Sequence, residues 1–415
     1  MRRINLPFQD LAAPMRPLRR AIQAAIMRTL DSGCFVNGPE VERFEARIAQ
    51  TLGAEFAVGV SSGTDALLVA LMALDVRPGD LVVTSAYSFI AAAEVIVRLS
   101  AHPVFIDIER ETYNLDPACL ARFLEDDSIR RAKVKAIVPV HLFGRCAPMD
   151  QISRIANRYE IPIVEDVAQA FGAIGPTGTS AEAKHAGTIG RLGCFSFYPT
   201  KNLGALGDGG MIVTDDPDLA RRCRQLRNHG AEAKDQHTLI GGNFRLDEIQ
   251  AAILNVKLDH VEGWNAERRR LAANYDAGLR IQGLILPTSG NETGANETGV
   301  NGTSTDNASA KESHVYNQYI VAVEDEPERK RSRDGLAAHL EAAGIGYAVY
   351  YPTPLGHQPC LIEAATGPNG DVHRCPQSEW AASHTLALPM YPGLTHAQQQ
   401  RVISSVRGYI EASRP

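Results

Sequence analysis

A chain of 415 residues can bury a large core and still supply a second, smaller domain. With 44% hydrophobic residues, 22% charged residues and a net charge of −6, it has the composition of a soluble globular protein. Acidic and basic residues are interleaved, which excludes a broad basic surface for nucleic acid or membrane, so an anionic ligand would be held by local donors. No apolar run approaches the ~20 residues that cross a bilayer. Asn5, Gln9 and Asp10 interrupt any apolar leader, so a cytoplasmic location is expected. The seven cysteines (Cys34, Cys119, Cys146, Cys194, Cys223, Cys360 and Cys375) form no CxxC pair and no metal-ligand spacing, consistent with reduced thiols. Cys194 reads as a small buried hydrophobe.

In chain order, Arg16–Ser32 and Pro39–Leu52 are predicted helices, stopped by Gly33 and Gly53. From about residue 55 to 215, short apolar runs alternate with helical patterns, the signature of βα units on a mostly parallel sheet. The predicted strands are Glu55–Val60, Leu81–Ser85, Pro103–Asp107, Ala136–His141, Pro162–Asp166, Gly193–Tyr198 and Met211–Thr214. Helices fit Thr64–Leu74, Phe89–Leu99 and Met149–Tyr159, where apolar residues recur every three or four positions. One long helix is expected over Leu246–Leu279. Beyond it, strand Val315–Val323, helix Arg333–Ala343, strand Tyr347–Tyr351 and helix His396–Ala412 suggest a small α+β domain. The expected division is 1–265 for a large domain and 266–415 for the small one. Ser289–Ala310 is a low-complexity patch carrying sequons at Asn291, Asn296, Asn301 and Asn307, and it reads as a repetitive solvated loop.

Open parallel sheets bind ligands beyond the carboxyl ends of their strands, and several reactive residues fall at such ends. Lys201 follows a strand in Ser196-Phe197-Tyr198-Pro199-Thr200-Lys201-Asn202-Leu203-Gly204, held by a Pro turn before a Gly-rich stretch. Asp166 closes the strand that runs into Val167-Ala168-Gln169. An aimed amine with an aimed carboxylate is the minimal kit for pyridoxal phosphate: the lysine forms an imine and the carboxylate keeps the pyridine nitrogen protonated. Ser61-Ser62-Gly63-Thr64-Asp65 opens a helix and reads either as a phosphate cradle or as an ordinary helix cap. Gly59-Val60-Ser61-Ser62-Gly63 also matches the nucleophile elbow of hydrolases, with Ser61 as nucleophile, but that reading leaves Lys201 and Asp166 without a task. Phe89 could stack on a cofactor or pack in the core. Gln169 could bond a phenolic oxygen, and Ser196 could add a hydroxyl to a phosphate. His141 could line a substrate pocket or be a satisfied structural histidine. Gly204, Gly207, Gly209 and Gly210 read as backbone geometry for a tight turn.

Taken together, Ser62-Gly63-Thr64-Asp65-Ala66-Leu67, Glu165-Asp166-Val167-Ala168-Gln169-Ala170, Ser196 through Lys201, Gly207-Asp208-Gly209-Gly210 and Gly242-Asn243-Phe244-Arg245-Leu246-Asp247 resemble the DegT/DnrJ/EryC1/StrS family of nucleotide-sugar aminotransferases. The likeness runs from Gly38-Pro39-Glu40-Val41 to Leu388-Pro389-Met390-Tyr391-Pro392. It implies a fold-type-I pyridoxal-phosphate transferase, an α/β protein working as a homodimer with the active site at the subunit interface. Carried over, it places Schiff-base formation on Lys201, the ring-nitrogen contact on Asp166 and the phenolic-oxygen contact on Gln169. Phosphate binding falls on Gly63, Thr64 and Ser196, with Asn243 reaching in from the other subunit, and ring stacking falls on Phe89. His141, Tyr198 and Tyr351 are candidates for substrate contact.

Tyr198 and Gly204-Ala205-Leu206-Gly207-Asp208 resemble members that aminate C3 of a keto sugar, against C4 as the alternative. Tyr350 and Gly356 stand where histidines are common in relatives, and Ser289–Ala310 exceeds the usual connection. Some relatives with histidine at the lysine position are dehydratases, and Lys201 argues against that activity. The expected reaction is ping-pong transamination from an amino acid, L-glutamate foremost, to a nucleotide-linked keto sugar. A non-catalytic regulatory protein that only binds the cofactor is the alternative of a different class.

Overall fold

The computed structural model describes residues 5–126, 131–175, 183–287, 314–324, 331–365 and 374–412. Seven strands form its central layer: β1 (Phe56–Val60), β2 (Leu81–Ser85), β3 (His102–Ile106), β4 (Val134–Val138), β5 (Val164–Asp166), β6 (Leu192–Ser196) and β7 (Gly210–Thr214). Strands β3, β2 and β4 pair in parallel, as do β5 and β6. Parallel bridges Ile137 to Ile163 and Val140 to Asp166 join the two groups. Across the layer the order is therefore β3-β2-β4-β5-β6-β7-β1, with β7 antiparallel to both neighbours. The reversal has a simple cause: β6 turns straight back into β7, whereas the parallel neighbours need crossover connections.

Helices cover both faces, so the strands are apolar on both sides and every residue of β2 and β7 is buried. Successive residues serve opposite cores. Val83, Ile137, Phe195 and Met211 pack on one face with Phe44, Ile48 and Ile152, while Val82, Val138 and Ile212 pack on the other with Leu67 and Leu71. The helix Pro39–Leu52 shows how local sequence sets these layers. Pro39 pre-sets the first turn, Val41, Phe44, Ile48 and Leu52 form the buried stripe, and Gly53 ends it at φ 71°. Buried Glu248 accepts from the N–H groups of Gly38, Glu40 and Val41, tying that helix start to a distant one.

The expected helix over Leu246–Leu279 is two helices, Glu248–Leu258 and Val261–Leu279, separated at Asp259 and His260. Helices Pro117–Asp126 and Pro217–Leu226 also form, beyond those expected. Helix Val261–Leu279 contributes Val261 to one main core and Leu271, Tyr275 and Leu279 to a second. That second core lies against the antiparallel sheet Leu284–Ile285, Tyr319–Val323 and Thr385–Leu388 and helices Arg333–Ala342 and His396–Ala412. The expected strand Tyr347–Tyr351 is absent as a strand. Only Ala348 makes a bridge, to Ala387, and Tyr351 turns the chain at φ 52°. Ser289–Ala310 and its sequons lie outside the described residues. No helix among the described residues is long and apolar enough to cross a membrane.

Candidate active site

The carboxyl ends of β1, β2, β5 and β6 open onto a cavity of about 600 Å³. Its wall holds Ser62, Gly63 and Thr64 after β1, Ser88 and Phe89 after β2, Asp166 and Gln169 at and after β5, and Ser196, Tyr198 and Lys201 at and after β6. Gln318, Tyr350 and Tyr351, from the part of the chain that builds the second core, complete it with Asp208 and Thr200.

Lys201 is fixed by a turn in which its N–H donates to the Tyr198 carbonyl at 2.8 Å. Burial lowers its amine to about 8, against an upward pull from the carboxylate of Asp166. Asp166 is buried and accepts from the Ala168 N–H at 3.0 Å. Burial raises its pKa, while the Ala168 N–H and the Lys201 ammonium hold it down. An amine easily freed of its proton thus faces the same cavity as a carboxylate.

The cradle beside them depends on close approach. A Cβ on Gly63 would stand 2.6 Å from the Ser196 Cβ, and one on Gly210 would stand 2.3 Å from the Ser62 carbonyl oxygen. Glycine therefore lets the start of helix Gly63–Ala73 sit against the ends of β6 and β7. Ser62 caps that helix by accepting from the Asp65 N–H at 3.0 Å. The unpaired amides of such a helix start, with the Thr64 and Ser196 hydroxyls, suit a phosphate. Ser61 lies outside the cavity wall, and its hydroxyl donates to Asp65 Oδ2 at 2.6 Å. Its partner is a carboxylate, not the imidazole that a nucleophile elbow requires, and the hydrolase reading is dropped.

Gln169 is held in one orientation. The Phe143 N–H donates to its Oε1 at 2.8 Å, so Nε2 is the end that donates to the Tyr351 hydroxyl at 2.7 Å beside the cavity. The aromatic pair in Tyr87-Ser88-Phe89 divides its work. Tyr87 is fully buried and bonded to Thr385, whereas Phe89 is 59% exposed on the cavity wall.

His141 does not line the cavity. It is fully buried beyond the end of β4 at Val138. Its own N–H donates to the Asp166 carbonyl at 2.9 Å. The Ala147 N–H donates to Nδ1 at 3.0 Å, which leaves Nε2 as the donor to Glu165 Oε2 at 2.8 Å. Burial opposes a charged ring, while Cys146 and Glu165 pull its pKa upward. The Ala147 N–H stands where the second proton would go, and we assign the neutral Nε2–H form on that hydrogen bond. Glu165, fully buried, also accepts from the N–H groups of Gly187, Ile189 and Gly190.

Sequence reasoning passed over Glu165 and Gln318. A carboxylate in the middle of an apolar strand was the available signal for Glu165. Nothing local marks Gln318. Asn243 is exposed, pairs through its backbone with Asn228, and is absent from the wall of its own chain's cavity.

The DegT/DnrJ/EryC1/StrS aminotransferase family model matches residues 17–407. The chain is 39% identical to a pleiotropic regulatory protein of Geobacillus stearothermophilus, over 97% of this chain and 98% of that one. It is 38% identical to UDP-2-acetamido-2-deoxy-3-oxo-D-glucuronate aminotransferase of Pseudomonas aeruginosa, over 94% of this chain and 97% of that one. Among solved structures, NtdA from Bacillus subtilis with bound cofactor PMP is similar at a TM-score of 0.83 and 27% identity, covering 99% of this chain and 86% of that one. Matched by the family model over nearly its whole length and by the two relatives at 38–39% identity, the chain belongs to the DegT/DnrJ/EryC1/StrS aminotransferase family.

Proposed function

We propose that this chain is a pyridoxal-phosphate-dependent aminotransferase that moves an amino group from L-glutamate to C3 of a keto sugar carried on a nucleotide. The observation that carries the reading is the convergence of Lys201, Asp166 and the Gly63–Ser196 cradle on one cavity. These residues fit the cofactor: an amine for the aldehyde, a carboxylate for the ring nitrogen, a cradle for the phosphate and the exposed Phe89 ring for its face. When bound, the cofactor supplies an electron sink for the carbon that loses its proton.

The chain's own groups do the rest. Lys201 holds the cofactor in the resting state. Freed by the donor's amine, Lys201 would be a general base of suitable pKa, placed to take the α-proton of the amino acid and to return it on the far side of the shared nitrogen. Asp166, buried at the cavity wall, would keep the proton on the ring nitrogen. Gln169 Nε2, which here donates to the Tyr351 hydroxyl, would be the donor for the phenolic oxygen. In the second half-reaction Lys201 would be placed to deliver a proton to the sugar carbon. Tyr198, Tyr350 and Tyr351 form the wall on which the sugar would rest. Asn243 is exposed and absent from the wall of its own cavity, which fits service to the phosphate of a second copy in a homodimer.

The C3 position rests on the Tyr198 and Gly207-Asp208 pattern and on the 3-oxo substrate in the name of the Pseudomonas aeruginosa relative. The name of the Geobacillus stearothermophilus relative favours a second reading, regulation without turnover. One experiment separates them. Glutamate added to the yellow holoprotein should bleach it to the pyridoxamine form, which 3-keto but not 4-keto nucleotide sugars then reoxidise. A chromophore that glutamate leaves unchanged would favour the regulatory reading.

A further inference from the structure

A second cavity, of about 80 Å³, lies on the other side of the Lys201 turn. Thr200 and Lys201 belong to both cavities, so the turn is a partition between them. Lys257, Trp264 and Arg268 also line it, with Asp10 and Met15 from the N-terminal segment.

Two cations are buried here on neutral partners. Lys257 is 6% exposed and donates its ammonium to the Gly204 carbonyl. Arg268 is 5% exposed, and its Nη1 donates to the carbonyls of Tyr316, Asn317 and Met390 at 3.1 to 3.2 Å. Its Nε is buried without a hydrogen-bond partner. Burial alone lowers Lys257 to about 8, and it lowers Arg268 to about 10 against an upward pull from Glu267 and Tyr350. Asp10, the carboxylate in this wall, accepts from the Ala12 and Ala13 N–H groups and faces Arg16 at 3.7 Å. Buried charges of one sign are costly unless a counter-charge reaches them. The space beside them exceeds what one water needs, on the order of 10–15 Å³.

We propose that this cavity binds a small anion, of the class of inorganic phosphate, a halide or a free carboxylate, between Lys257 and Arg268. The anion completes the two cations and lies against the Lys201 turn from behind. The site is independent of the cofactor assignment.

Trp264 reports on it directly, because the Lys257 Nζ stands 5.8 Å from the centre of its ring. The chain has two tryptophans, and Trp380→Phe removes the other signal. Holoprotein carrying that change is titrated with iodide at constant ionic strength, balanced by a bulky sulfonate too large for the cavity. Quenching should saturate. Inorganic phosphate at ten times its half-saturating level should move the iodide midpoint about tenfold. Chloride and acetate arms tell a general small-anion site from one selective for oxyanions. Adding Lys257→Met should abolish saturation while leaving collisional quenching. Linear quenching that phosphate does not change would overturn the site, and this wild-type competition decides the matter even if the Lys257 variant fails to fold.

Discussion

Replacing Gly63 by alanine tests the cradle with one methyl group. The backbone at Gly63 is ordinary, so no conformational penalty attends the change, and what it meets is space. The added carbon would lie 2.6 Å from the Ser196 Cβ, 3.1 Å from its Cα and 3.2 Å from its Oγ. Ordinary contact begins at 3.4 Å, so helix start and strand end must separate by about 0.8 Å. Overpacking of this kind costs about 1–3 kcal/mol. If the separation falls on the cradle, pyridoxal phosphate affinity drops roughly tenfold to a hundredfold, because donors aimed at one oxygen no longer converge. The assay is absorbance titration of the apoprotein with cofactor, beside urea denaturation. Ser196→Gly in the same chain removes the clashing carbon and should recover most of the packing loss, giving a coupling energy of about 1 kcal/mol or more. An alanine variant that binds cofactor within twofold of wild type would refute the reasoning.

In cofactor-free protein, the Lys201 amine, lowered to about 8 by burial, should react with an aldehyde probe with a midpoint near that pH, well below ordinary lysines. Asp166→Asn removes the negative charge that favours the ammonium, so the midpoint should move lower; an upward move contradicts the geometry. Glu165→Gln puts an amide group against three backbone N–H donors and the His141 Nε2–H. It should cost about 2–4 kcal/mol in urea denaturation and weaken turnover through Asp166. A loss under 0.5 kcal/mol would show that this network bears little load. Tyr351→Phe leaves Gln169 anchored by the Phe143 N–H, so cofactor absorbance should hardly shift. Gln169→Leu should move the band, and equal effects from both would argue against the orientation assigned to the amide.

The parts of the fold legible in the sequence are those with local cause. Pro39 and Gly53 bracket a helix whose ends match expectation, and β2 opens with the apolar run Leu81-Val82-Val83 after Asp80 and ends before the Tyr87-Ser88 turn. The Pro217–Leu226 helix could have been found, since Asp216 caps it ahead of Pro217 and accepts from Asp218 and Leu219. The break at Asp259–His260 carries no such mark, as both residues keep right-handed helical angles. Tyr347–Tyr351 has the composition of a strand, yet tertiary contacts draw Tyr351 into a left-handed turn where its hydroxyl meets Gln169. At the site, Lys201, Asp166 and the Gly63 turn were visible because strand ends in such sheets converge. The orientation of His141 was not, because it is set by Glu165 and Ala147, partners that its own sequence neighbourhood does not specify.

The most direct measurement is borohydride reduction of the yellow holoprotein followed by peptide mass mapping. A pyridoxyl group on the peptide containing Lys201, and on no other lysine, is the expected result. A label on Lys257 or on surface lysines, or no stable label at all, would contradict the assignment of Lys201 as the residue that carries the cofactor.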